Sequence, residues 1–239
     1  MRRVVAAVVV MSLPARAASA QASATPRSSP TWEDAGWVAA AGALYVLPGA
    51  LGLPQGAPSC APCDPATLPG FDRWAVRPVV HGADVASGAV LVGVAGWTAL
   101  AGLRGLPVDR WHDNFSRFAE ATSWTAASTE WLKVLVRRKR PVLYTSDAAT
   151  AATDRDNQQS LPSGHTSLAF SAATAYFVIS RREHLPHRTR NALLLYAGAV
   201  AVGALRVAAA QHFPSDVAAG AVLGVGIGWL VPTIHPTTH

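Results

Sequence analysis

Six apolar stretches, near Gly36–Leu53, Asp84–Leu103, Phe115–Val136, His165–Ile179, Ala192–Ala210 and Val217–Val231, decide what this chain can fold into. None alternates apolar and polar residues as a half-buried strand would, and several approach the ~20 residues with which a helix crosses a bilayer. The pattern predicts an all-α fold, a six-helix bundle embedded in a membrane. Composition agrees, because 50% of the residues are apolar and only 14% charged, against about 25% charged in an average soluble domain. The third stretch carries Arg117, Glu120 and Glu130, so it must face the bundle interior or lie partly in water. No internal repeat or heptad run accompanies these stretches.

Ahead of them, Arg2 and Arg3, the apolar run Val4–Leu13 and the small residues Ala18–Ser19–Ala20 read as a secretory signal peptide over residues 1–20, cleaved after Ala20. Residues 21–34 form a flexible tether rich in Ser, Pro and Ala, and residues 35–235 the folded domain. The net charge of +6 falls to +3 once Arg2, Arg3 and Arg16 leave with the leader, too little to argue for a nucleic-acid partner.

Three short polar clusters interrupt the apolar pattern: Lys133 with Arg140–Pro141, then Pro162–Ser163–Gly164–His165, then Arg206, His212 and Asp216. Their spacings are K-x6-R-P, P-S-G-H and R-x5-H-x3-D. Three fixed cations suit a phosphate dianion, since arginine offers a planar fork of donors and lysine a compact charge. Lys133 and Arg140, seven residues apart, would share one face of a helix. Ser163 reads as the N-cap of a helix whose first amides, at Gly164 and His165, form an anion site. A neutral imidazole such as His212 can attack phosphorus, with a carboxylate such as Asp216 fixing its tautomer. His165 can protonate the leaving alkoxide and later take a proton from water.

The ordered clusters resemble the signature of the type 2 phosphatidic acid phosphatase family, which takes in class A acid phosphatases and vanadium haloperoxidases. The resemblance implies the phosphatase/haloperoxidase-type helical core. It also implies His212 as nucleophile, Asp216 as its orienter and His165 as acid/base, with Lys133, Arg140, Ser163, Gly164 and Arg206 as the phosphate cradle. One position departs from the family pattern: Leu205 stands where a serine usually precedes the arginine of the third cluster. The expected activity is metal-independent, cofactor-free hydrolysis of a lipid phosphate or pyrophosphate through a phosphohistidine. A soluble periplasmic acid phosphatase of broad specificity and a vanadate-dependent haloperoxidase are the alternatives, although the chain is short for the latter. A non-catalytic lipid-binding role leaves both histidines unexplained.

The basic connection 181–190 belongs in the cytoplasm by the positive-inside rule. The catalytic loops lie at the opposite helix ends, so the expected location is a bacterial-type inner membrane with the site facing the periplasm. Six full spans after a cleaved leader would place the site inside instead. Either Gly36–Leu53, interrupted by Pro48 and Gly49, does not span, or the leader is retained. Cys60 and Cys63 cannot complete a four-ligand zinc site and are expected to pin their loop as a disulfide. Asp154–Arg155–Asp156–Asn157 reads as a solvated linker, and Arg137, Arg138 and Lys139 as a solvated basic turn or a headgroup contact. Tryptophans 32, 37, 97, 111 and 229 fall near segment ends, where interfacial anchoring or core packing explains them.

Overall fold

The computed structural model describes residues 32–101 and 106–235, so the predicted leader and most of the tether lie outside the described residues. Within them the chain is all-α, with α1 (Trp32–Ala50), α2 (Gly70–Arg73), α3 (His81–Ala101), α4 (Val108–Val136), α5 (Ala148–Ala151), α6 (Gly164–Arg182), α7 (Arg188–Ala208) and α8 (Pro214–Ile234). The expected count of six helices is therefore corrected to eight among the described residues. Each of the six long helices overlaps one of the six apolar stretches, with α4 starting seven residues ahead of its own. The additional two, α2 and α5, are single turns of four residues, too short to show an apolar period. Trp32, Glu33 and Asp34, assigned above to the tether, form the first turn of α1.

The centre of the bundle is the pairing of α6 with α8, and small residues determine its geometry. Gly220, Gly224 and Gly228 recur every fourth residue on α8 and lie against Ser163, Ser167 and Ser171, spaced identically on α6. A Cβ at Gly224 would stand 2.2 Å from the Ser167 carbonyl oxygen, and one at Gly228 2.6 Å from that of Ser171. Only glycine permits so close an approach of two helix backbones. The approach brings the two helix starts together, with the Ser163 amide donating to the Asp216 carbonyl at 3.0 Å. Around this pair, α3, α6 and α7 share a core of Val94, Ala169, Ala172, Ala173, Tyr176, Leu195, Ala199 and Val202.

Arg117 and Glu120 of α4 are paired inside the bundle. Arg117 donates to Glu120 at 3.0 Å and to Asp34 of α1 at 2.6 Å, and His235 Nδ1 lies 2.8 Å from Glu120. Helix α4 ends where Arg137 turns left-handed (φ 51°) and its amide caps the Lys133 carbonyl. Arg140 is extended (φ −72°, ψ 159°), as a residue before proline must be. Lys133 and Arg140 therefore do not share a helix face, contrary to expectation: the first lies on α4 and the second beyond its end.

Among the described residues three helices are long and apolar enough to cross a membrane: His81–Leu100, Arg188–Ala208 and Pro214–Ile234. They expose large apolar side chains, including Val92 and Trp97 on the first, Leu193 and Val200 on the second, and Val222 and Trp229 on the third. Helix α1, the segment of doubtful span, is not among them. Cys60 and Cys63 are joined as a disulfide in the loop after α1.

Candidate active site

Five helix ends meet at one end of the bundle: the C-termini of α4 and α7 and the N-termini of α3, α6 and α8. They enclose an open cavity of about 380 Å³. Lys133, Arg140, Gly164, His165, Arg206 and His212 line it, six of the eight residues named from the sequence. Residues from three clusters spread over more than eighty positions thus share one wall. Lys133 Nζ lies over the start of α6, 3.5 Å from where a Cβ of Gly164 would be. The other two expected residues, Ser163 and Asp216, are buried behind the lining. Ser163 occupies the N-cap position, but its hydroxyl caps no amide; it accepts instead from the Thr166 hydroxyl at 3.0 Å.

Asp216 does not orient His212 directly. His212 Nδ1 lies 2.7 Å from the Ser160 carbonyl oxygen and 3.9 Å from Asp216 Oδ2. A carbonyl oxygen can only accept, so Nδ1 carries the proton and Nε2 keeps its lone pair. Asp216 acts one bond further back. Its Oδ2 accepts from the Ser160 hydroxyl at 2.6 Å and from the Phe213 amide at 2.8 Å, tying both ends of the His212 pocket to the first turn of α8. Burial holds the His212 ring well below the usual histidine range, and Arg140, Arg206 and Lys133 add to the shift. The same causes, burial first and then Arg206, lower His165 to about 4, while the Asp84 carboxylate pushes the other way. Both imidazoles are neutral in the unliganded protein near pH 7.

Each cationic side chain of the cradle meets a carboxylate. Lys133 pairs with Glu130 at 2.7 Å, Arg140 with Asp156 at 2.7 Å, and Arg206 with Asp84. Gln211 bridges the last two, accepting from Arg140 at 2.6 Å and donating to Asp84 at 3.5 Å. Asp84, Val85, Asp156 and Gln211 line the cavity and were not foreseen. Asp156 corrects the reading of its segment as solvated linker, since that segment also takes the Arg140 amide on the Asn157 carbonyl at 2.8 Å. No spacing rule could have found Asp84, which lies 122 residues from Arg206. A hydroxyl also reaches Arg206, from Ser87 of α3 at 3.2 Å, although position 205 carries leucine.

Arg138 corrects the reading of residues 137–139 as a solvated turn. Its guanidinium donates to Asp72 at 2.6 Å, to Asp216 at 2.5 Å and to the Ser215 hydroxyl at 2.5 Å, and lies 4.5 Å from the centre of the Phe213 ring. Burial raises the Asp72 carboxyl, but hydrogen bonds from Ser215 and Arg138 outweigh it and hold the group below the usual carboxylate range. Among the described residues no group of three or more His, Cys, Asp or Glu is arranged to hold a metal ion.

Over residues 117–239 the chain matches the profile of the PAP2 superfamily, and it belongs to that superfamily. The match begins in α4, so α1 to α3 lie outside it. No curated protein and no solved structure matches the chain at comparable stringency.

Proposed function

We propose that the chain is a phosphoric monoester hydrolase that works through a phosphohistidine on His212. The observation carrying this reading is a neutral His212, its Nδ1 engaged by a carbonyl, in a cavity lined by three cations and a second neutral histidine. In the proposed reaction His212 Nε2 attacks phosphorus, and the P–O bond to the leaving group breaks as His165 delivers a proton to that oxygen. Lys133, Arg140, Arg206 and the amides at the start of α6 take up charge on the equatorial oxygens, where positioning and electrostatics carry phosphoryl transfer. Water then attacks the phosphohistidine, giving up its proton to His165. His165 must be protonated for the first step. The bound dianion opposes the burial and the cations that otherwise lower its pKa.

The substrate class favoured by the surroundings is a lipid phosphate. Helix α3 runs from the cavity with Val85 (73% exposed) at the lip and Val92 (71% exposed) two turns further on, a path that acyl chains in a bilayer could follow. A second reading, a soluble periplasmic acid phosphatase of broad specificity, draws on the cavity itself. Apart from Val85 and Gly164 its lining is polar, which suits a phosphate group and specifies no chain.

Phosphate release by the purified protein would test both, using phosphatidate in mixed micelles and a soluble aryl phosphate, with and without EDTA. Turnover that survives EDTA and is absent in His212→Ala is expected; turnover retained by His212→Ala would refute the mechanism. A preference for phosphatidate of tenfold or more favours the lipid reading, and parity favours the soluble one. Placement in the membrane is tested by cysteines at Ser146 and Thr189 in a Cys60→Ser, Cys63→Ser background. An impermeant thiol reagent on spheroplasts should label position 146 and spare 189, and the reverse would place the site in the cytoplasm.

A further inference from the structure

The proposed chemistry uses residues from α4 onward, yet one wall of the cavity comes from α3, outside the stretch that matches the superfamily. Asp84 and Val85 precede Gly88 by four and three residues, so both flank its face of α3. That face looks at His165: a Cβ at Gly88 would stand 4.0 Å from His165 Nε2. The group that protonates the leaving oxygen must lie within hydrogen-bond reach of it. The α3 wall is therefore where the leaving group sits, and its one charged side chain is Asp84. The Asp84 carboxylate pairs with Arg206 through Oδ1, faces the Gln211 amide through Oδ2 and is 35% exposed to the cavity. Ser87 donates to the Asp84 carbonyl at 2.7 Å while Arg206 donates to the Ser87 hydroxyl, so this turn of α3 is fixed against the cradle.

We infer that Asp84 is a specificity-determining residue of the leaving-group subsite, selecting phosphate esters whose leaving group is neutral or cationic over those whose leaving group carries a second negative charge. The inference rests on the hydrolase reading above. Its physics is simple. A pyrophosphate places its second phosphoryl group beside His165, where it meets a carboxylate in a partly desolvated cavity. Like charges juxtaposed there discriminate strongly. A neutral alcohol meets no such repulsion, and an ammonium group finds a partner.

Three small probes read this without interference from lipid packing: phenyl phosphate, phosphoethanolamine and inorganic pyrophosphate, whose leaving groups are neutral, cationic and anionic. Asp84→Asn also lowers the His165 proton affinity for every substrate, so the informative quantity is the change in kcat/KM on one probe relative to another. We expect the ratio of pyrophosphate to phenyl phosphate to rise about tenfold in Asp84→Asn, the order expected for one unit charge acting over a few ångströms in a partly screened site. The ratio of phosphoethanolamine to phenyl phosphate should fall, and Asp84→Glu should keep the wild-type ratios. Val85→Lys puts a cation on the exposed lip without removing the ion pair, and should shift pyrophosphate use in the same direction even if Asp84→Asn does not fold. Equal losses on all three probes, or ratios unmoved by both variants, would overturn the inference and leave the hydrolase reading intact. Failure of the wild type to turn over any probe or phosphatidate would overturn both.

Discussion

Replacing Arg138 with methionine removes a cation that lies outside the cavity, is only 18% accessible at its side chain, and holds the carboxylates behind His212. The guanidinium lies between two carboxylates, Asp72 and Asp216, that are completely inaccessible to solvent. Methionine preserves most of the volume, so the cost is electrostatic. After the change Asp216 keeps the Ser160 hydroxyl and the Phe213 amide on Oδ2 but loses the Arg138 partner of Oδ1. Asp72 keeps the Ser215 amide at 3.0 Å and hydroxyl at 2.6 Å. Breaking a buried pair by removing one partner costs ~3–5 kcal/mol. Retained hydrogen bonds favour the low end, while the lost contact with the Phe213 ring adds ~1 kcal/mol. A total of about 4 kcal/mol corresponds to a midpoint roughly 10 °C lower for a chain of this size. Thermal unfolding in detergent micelles, followed by circular dichroism, measures it. Because Asp216 supports His212 only indirectly, through Ser160 and the Phe213 amide, kcat should fall about tenfold by the same loosening, with KM nearly unchanged. Adding Asp72→Asn should recover about half the lost stability by removing one of the uncompensated charges. A single variant within about 1 kcal/mol of wild type, with normal kcat, would refute the assignment of Arg138 as the cation that this cluster requires.

Gly224→Ala forces a methyl group to 2.2 Å from the Ser167 carbonyl oxygen, so α6 and α8 must part; a loss of ~3 kcal/mol or more and a lower kcat are expected, and a wild-type melting curve would refute the close-packing argument. Stability should also fall as pH drops from 6.5 toward 4. His165 titrates near 4 when folded and near 6.5 when unfolded, so in that window the unfolded chain binds more protons. The neutral, buried His212 acts in the same direction. Allowing for the open side of His165, its share is ~2 kcal/mol, and His165→Gln should flatten the midpoint-versus-pH curve by that amount. An unchanged slope would show that another group carries the effect. Asp72, whose pKa is lowered, loses its contribution only below its ordinary range and lies outside this window.

What was legible in the sequence follows from how locally each feature is encoded. The six long helices each carry their own apolar run, so their ends could be read within about four residues, except that α4 starts at Val108, seven residues ahead of Phe115, because its first two turns are mostly polar. Pro162–Ser163–Gly164–His165 and Arg206–His212–Asp216 are each confined to one turn or helix junction, and such spacings survive folding. Features made by contacts between distant elements left no local trace. Asp84 joins Arg206 across 122 residues and Asp72 joins Ser215 across 143, and neither stands in a suggestive spacing. The Asp216–His212 contact, expected from carboxylate–imidazole chemistry and from the resemblance, is indirect in the structure. Four residues on a helix place two side chains on one face. Here, however, His212 precedes the helix, and Pro214 starts α8 after it, so the imidazole turns to the Ser160 carbonyl instead.

The carboxylates around Lys133, Arg140 and Arg206 explain how three cations can be held together in one cavity. Lys133, Arg140 and Arg206 line one cavity, and without compensation their mutual repulsion would oppose the folded state. Each meets its partner from a different source: Glu130 one turn back on α4, Asp156 on the loop before α6, and Asp84 on α3. The partners differ in exposure, with side chains 23%, 53% and 35% accessible. Exposure sets how readily a carboxylate yields its cation to a dianion, because an oxygen already in water loses least on release. Asp156 is therefore the easiest to displace and Glu130 the hardest, which leaves Arg140 as the cation most open to the dianion of the proposed reaction. Asp84 is intermediate and cannot withdraw far, because its helix is tied to Arg206 through Ser87. In the proposed reaction it would thus stay beside the leaving group once a phosphate had replaced it on Arg206, the condition under which its charge could discriminate between substrates.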